Sequence, residues 1–66
     1  MSVAKTSEIT ASSSKSFEEA VRHGISKMSK SVDNIEGAWV KEQKVVVEDG
    51  EVTAYRVTMK VTFVVK

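Results

Sequence analysis

Residues 51–65 read EVTAYRVTMKVTFVV, and within them Tyr55, Val57, Met59, Val61, Phe63 and Val65 alternate with Arg56, Thr58, Lys60 and Thr62. A period of two is the mark of a β-strand, whose successive side chains point to opposite faces. One face of this strand is expected to pack on a helix, and the other to meet solvent or a partner. Immediately upstream, Glu48-Asp49-Gly50 separates this run from another β-branched run, Ile35 to Val47. An Asp-Gly pair between two such runs predicts a hairpin, so the two strands are antiparallel. The upstream strand is less regular. Trp39, Val45 and Val47 fall on one parity while Ala38, Val40 and Val46 fall on the other, which leaves apolar groups on both faces.

Further upstream the period changes. Phe17, Ala20, Val21, Gly24, Ile25, Met28 and Val32 recur every three or four residues, which is one apolar stripe of an amphipathic helix. Glu18, Arg22, Ser26 and Lys30 form the wet side. The serine run before the stripe supplies a helix cap. Ser13 is the preferred cap, and Ser16 with Glu19 three residues on offers a capping box one turn later. Lys27 and Lys30 suit the carbonyl end of the helix dipole, and Asp33-Asn34 ends the pattern. Val3 to Ala11 reads as a short first strand whose inward face Thr6, Ser7 and Thr10 leave poorly defined.

Sixty-six residues make one domain, 1–66, and a chain this short removes only about 60% of its unfolded surface from water. Some further support is expected. The chain has no cysteine and a single histidine, His23, so neither disulfides nor a zinc site supplies it. Oligomerisation is the support expected. Strand lengths point the same way: at about 3.3 Å per residue each long strand extends roughly 40 Å, whereas a helix of some 18 residues is about 27 Å long. One helix cannot cover both, and the remaining sheet is expected to pair with copies of itself.

Ten Lys plus Arg against nine Asp plus Glu give a formal charge of +1, with the signs interspersed, so a nucleic-acid partner is not expected. No segment approaches the roughly 18 consecutive apolar residues that cross a bilayer, and the opening Met1-Ser2-Val3-Ala4-Lys5 lacks a signal peptide's apolar run. A soluble, cytoplasmic protein without a membrane partner is expected. No base accompanies the serine hydroxyls and no Ser-His-Asp or Cys-His set is present, so the chain is not read as an enzyme. His23 reads as a surface or interface histidine. Glu48, Asp49 and Glu51 lack the alternating ligand spacing of a calcium loop and read as hairpin solubility.

The order of elements, with Val3-x-Lys5, Ser16-Phe17-x-x-Ala20, Val32-Asp33-Asn34, Val40-x-x-Gln43 and Tyr55-Arg56-Val57-x-Met59-x-Val61-x-Phe63, resembles the dodecin family over nearly the whole chain. The resemblance implies an α+β fold of β-α-β-β order, a three-stranded antiparallel sheet wrapped around one helix, with twelve copies forming a hollow shell. It also implies binding and storage or sequestration of a flavin (riboflavin, FMN or FAD) without catalysis. In flavin-binding members a tryptophan stacks on the ring and a glutamine bonds its edge. The resemblance aligns Gly37 with that tryptophan and Arg56 with that glutamine.

Trp39, two residues after Gly37, points to the same face of the strand, displaced by about 7 Å. It reads either as a stacking platform for a small aromatic ligand or as an aromatic sealed in a subunit contact. Arg56 reads as a ligand contact or as an intersubunit or solvated cation. Gly37 reads as a bulge or a close backbone approach, or as a place where a ligand lies flat. The candidate cofactor-binding residues are therefore Gly37, Trp39 and Arg56. Glu42 matches an acidic position that contacts metal in some dodecins, but Lys15 stands where its acidic companion belongs, so no metal is expected.

Overall fold

In a computed structural model that describes residues 2–66, the chain forms β1 (Val3–Ser13), α1 (Phe17–Met28), β2 (Ile35–Glu48) and β3 (Glu51–Val65). The sheet order is β1-β3-β2, and both outer strands run antiparallel to β3. This is the expected β-α-β-β, α+β arrangement of one three-stranded antiparallel sheet and one helix. The hairpin turns at Asp49 (φ 52) and Gly50 (φ 76), the paired positive values that a type I′ turn requires.

Two helix boundaries differ from the sequence expectation. Ser16, not Ser13, caps α1, its Oγ accepting from the Glu19 N–H at 3.0 Å. Ser13 is still paired with Tyr55 at the end of β1, so its hydroxyl closes the turn instead, accepting from the N–H groups of Lys15 (2.9 Å) and Ser16 (3.4 Å). At the other end α1 stops at Met28, although the apolar stripe continues to Val32. The Ser29 hydroxyl donates to the Ser26 carbonyl at 2.7 Å, a local bond of the kind that competes with helix continuation. Asn34, in the left-handed region at φ 64, then leads into β2, and its carbonyl accepts from the Val64 N–H at 3.0 Å.

The core is a single layer between α1 and the β1–β3 pair. Ala20, Val57, Met59 and Val61 are fully buried, with Ile9, Ala11, Phe17, Val21, Ile25, Met28 and Ile35 packed against them. Phe17 meets Tyr55 edge to face, with centroids 5.2 Å apart. Gly24 sets how closely the helix approaches: a Cβ there would lie 2.9 Å from Met59 Cε and 3.0 Å from Ala11 Cβ. The close approach thus belongs to Gly24 and not to Gly37, where an added Cβ would meet nothing within 4 Å.

β2 has no such cover. Only Ile35 and Val46 in it are even half-buried, and Val40, Val45 and Val47 are exposed. The 12 residues of α1 span about 18 Å, whereas the 15 residues of β3 extend about 50 Å. The molecule is accordingly 51 Å long. Its radius of gyration is 13.5 Å, against about 11 Å for a compact chain of this length. Its accessible surface is 4868 Å², against about 4200 Å² for a folded monomer of this mass. Alone, the chain leaves part of its apolar surface in water.

Candidate functional site

The candidate residues are arranged by irregularities in β2. Its register against β3 shifts between Ile35 and Gly37 and again between Val40 and Glu42, leaving Glu36 and Lys41 as extra residues of β-bulges. Each bulge inverts the phase of the residues after it. Gly37 therefore pairs with Thr62, Trp39 with Lys60, Glu42 with Thr58 and Lys44 with Arg56. These partners form the side of β3 that faces away from α1. Val40, Gln43 and Val45 pair with Met59, Val57 and Tyr55 on the helix side, so the expected grouping of Trp39 with Val45 on one face is corrected by the Lys41 bulge.

Gly37, Trp39 and Arg56 thus share the helix-distal face. β1 adds Glu8 opposite Lys60, Thr10 opposite Thr58 and Ser12 opposite Arg56. Trp39 is 64% exposed, and the Lys60 ammonium stands 5.9 Å from its ring centroid, within cation–π range. Lys41 reaches across β3 to Glu8 at 3.2 Å, tying the bulge to the opposite edge of the sheet. Arg56 Nε donates to Ser12 Oγ at 3.1 Å, and the Thr10 and Thr58 hydroxyls lie 3.4 Å apart. Thr10, Glu42, Lys44, Arg56 and Thr58 line an open depression of about 270 Å³. Trp39 and Arg56 do not touch, since their rungs are four β3 residues, about 13 Å, apart.

This face combines an accessible aromatic plane with hydroxyls, a carboxylate and cations at its side. A flat polar heterocycle fits such a set, because stacking needs only an exposed ring and the edge atoms need hydrogen-bonding groups. Lys60 was legible from the polar parity of β3, but Lys44 joins Arg56 only through the bulge, which carries no glycine or proline to announce it. A larger groove of about 460 Å³ lies between α1 and β1, at the opposite edge of the sheet, and includes His23 and Lys27. His23 is exposed there, as expected for a surface position. Among the described residues no three His, Cys, Asp or Glu side chains gather to hold a metal within one chain, and no helix is long and apolar enough to cross a membrane.

Comparison with known proteins places this architecture. No curated protein matches the chain. Among solved structures, dodecin from Streptomyces davaonensis is similar with a TM-score of 0.94 and 28% identity, over 98% of this chain and 96% of that one. Dodecin from Streptomyces coelicolor shares the fold at a TM-score of 0.94 and 22% identity, over 98% and 93% of the two chains. The calcium chelating immunodominant antigen of Mycobacterium tuberculosis, a calcium dodecin with a novel calcium-binding site, matches at 0.85 and 31% identity, over 97% and 91%. The family model described as Dodecin matches residues 3–66. A sheet that outruns its helix, a match along almost the entire chain and these relatives together lead to one conclusion: the chain belongs to the dodecin family.

Proposed function

We propose that residues 1–66 act as one domain that assembles into a dodecin-like homo-oligomeric shell, a dodecamer, in the cytoplasm. The shell binds and stores or sequesters a flavin without catalysis. Trp39 is the stacking platform, Gly37 leaves room beside it for a ring to lie flat, and Arg56 makes polar contact. The observation that carries this reading is the 64% exposed Trp39 on a strand that no helix covers. An exposed indole in a chain whose surface exceeds that of a compact monomer is suited to a site completed by a second copy.

A second reading has one observation in its favour. Lys60 already stands over the Trp39 ring at 5.9 Å, an arrangement equally suited to an aromatic sealed at a subunit contact, in a structural shell that takes no flavin. Riboflavin fluorescence and sedimentation separate the two. On the flavin reading, added riboflavin is quenched by the assembled protein, and Trp39→Ala abolishes quenching while the assembly persists. If the wild type leaves riboflavin emission unchanged and Trp39→Ala dissociates the assembly, the structural reading holds instead.

A further inference from the structure

β1 and β2 are the two edges of the sheet, and they differ in what they offer to a further strand. The β2 edge is interrupted by its two bulges, which disfavour strand addition. β1 keeps one register with β3 over all 11 of its residues. In an antiparallel pair alternate residues turn their N–H and C=O groups outward, so the β1 edge carries an unbroken row of unused main-chain partners. Beside it runs the groove of about 460 Å³ under α1. Thr10 and Ser12 line that groove although their hydroxyls engage Thr58 and Arg56 on the opposite face, so they meet it through the strand edge. Ile9, Ala11, Gly24 and Met28 supply its apolar part. His23 and Lys27 stand one helical turn apart along it; among the described residues neither is in an ion pair, and no carboxylate lines the groove. Glu19 belongs to the adjoining depression, which Ser12, Lys15 and His23 also line.

We propose that β1 and α1 form a peptide-binding groove, in which an extended segment of another protein adds as a fourth strand along Ile9 to Ser12 and presents a carboxylate to Lys27 and His23. Strand addition draws affinity from main-chain hydrogen bonds and specificity from alternate side chains. Ile9 to Ser12 span about 13 Å, so a segment of about five residues covers them. Residues two apart on the added strand share its helix side. An acidic one at the Ser12 end meets His23 and Lys27 through charge-assisted bonds, and an apolar one two positions away rests against Ile9 and Met28. The β1 edge of a second copy is a poorer occupant. Antiparallel pairing of two β1 edges places both helices on one face with their Lys27 side chains opposed, and it brings no carboxylate to them. The groove lies at the edge opposite Trp39, and the proposal does not rest on the flavin reading.

The probe is the fluorescein-labelled peptide Ser-Glu-Thr-Val-Ser with an amidated C-terminus, titrated with the full chain and read by fluorescence anisotropy. Saturable binding is expected, and replacing the peptide's glutamate by lysine weakens it at least about tenfold. Lys27→Glu reverses that preference, losing the acidic peptide and gaining the lysine one. Methylating the peptide's amide nitrogens at alternate positions weakens binding about tenfold in one parity and leaves it unchanged in the other, because only one parity donates to the β1 edge. Sedimentation with and without peptide shows the same particle. If the peptide does not bind saturably, or if both parities of methylation act alike, strand addition is overturned. If the charge exchange between Lys27 and the peptide has no effect, the assigned polarity of the groove is wrong and the proposal falls. If the peptide dissociates the assembly as it binds, the β1 edge is a contact between copies and the proposed partner is overturned.

Discussion

β3 and β2 are neighbours in one sheet and of nearly equal length, 15 and 14 residues, yet they end in opposite environments. β3 is paired along both edges from Tyr55 on and covered over its middle by α1, and it supplies three of the four fully buried side chains, Val57, Met59 and Val61. β2 is paired along one edge, broken by two bulges, and exposed almost throughout. Its valines are no less apolar than those of β3. Burial therefore follows from which elements lie alongside a strand, and composition alone does not provide it. The β1–α1–β3 half holds the buried core of the chain, while β2 packs on one neighbour only.

If that division is right, substitutions should have unequal costs on its two sides. Met59→Ala removes a fully buried side chain beneath Gly24 and is expected to destabilise by about 2–5 kcal/mol, a loss seen in denaturant titration at every protein concentration. Gly24→Val forces a Cβ and its two methyl groups into a contact already closed by Met59 and Ala11, with an expected cost of about 1–3 kcal/mol. Ser16→Ala removes the cap on α1 and should cost about 1 kcal/mol by the same measurement. Val45→Thr, at an exposed position of β2, should change the stability of dilute protein by less than about 0.5 kcal/mol, with a loss that grows as concentration rises. A concentration-independent loss at Val45 as large as that at Met59 would erase the distinction.

Much of the buried half was legible before the fold was known. Strict alternation in β3, the helical stripe from Phe17 to Met28 and the Asp49-Gly50 turn are local signals, and each was realised. The helix ends are less legible. The stripe reaches Val32 because a turn after α1 keeps that residue in line, its N–H donating to the Met28 carbonyl at 3.0 Å. The capping choice was decided by strand pairing at Ser13, which no local pattern reveals. At the candidate site, the shared face of Gly37 and Trp39 followed from spacing alone. The company of Lys44 with Arg56 did not, because Lys41 is chemically ordinary and nothing in its neighbours marks it as supernumerary.

Lys41 acts on its strand as an inserted letter acts on a reading frame. Between Gly37 and Val40 the even-numbered side chains lie on the helix side of the sheet; beyond Lys41 the odd-numbered Gln43 and Val45 do so, with no change in hydrogen-bonding partner strand. Natural selection can then edit the stretch before the insertion for one neighbour and the stretch after it for another. Removing that single residue would rewrite the stretch downstream, turning Glu42 and Lys44 inward and sending Val45 out among the charges.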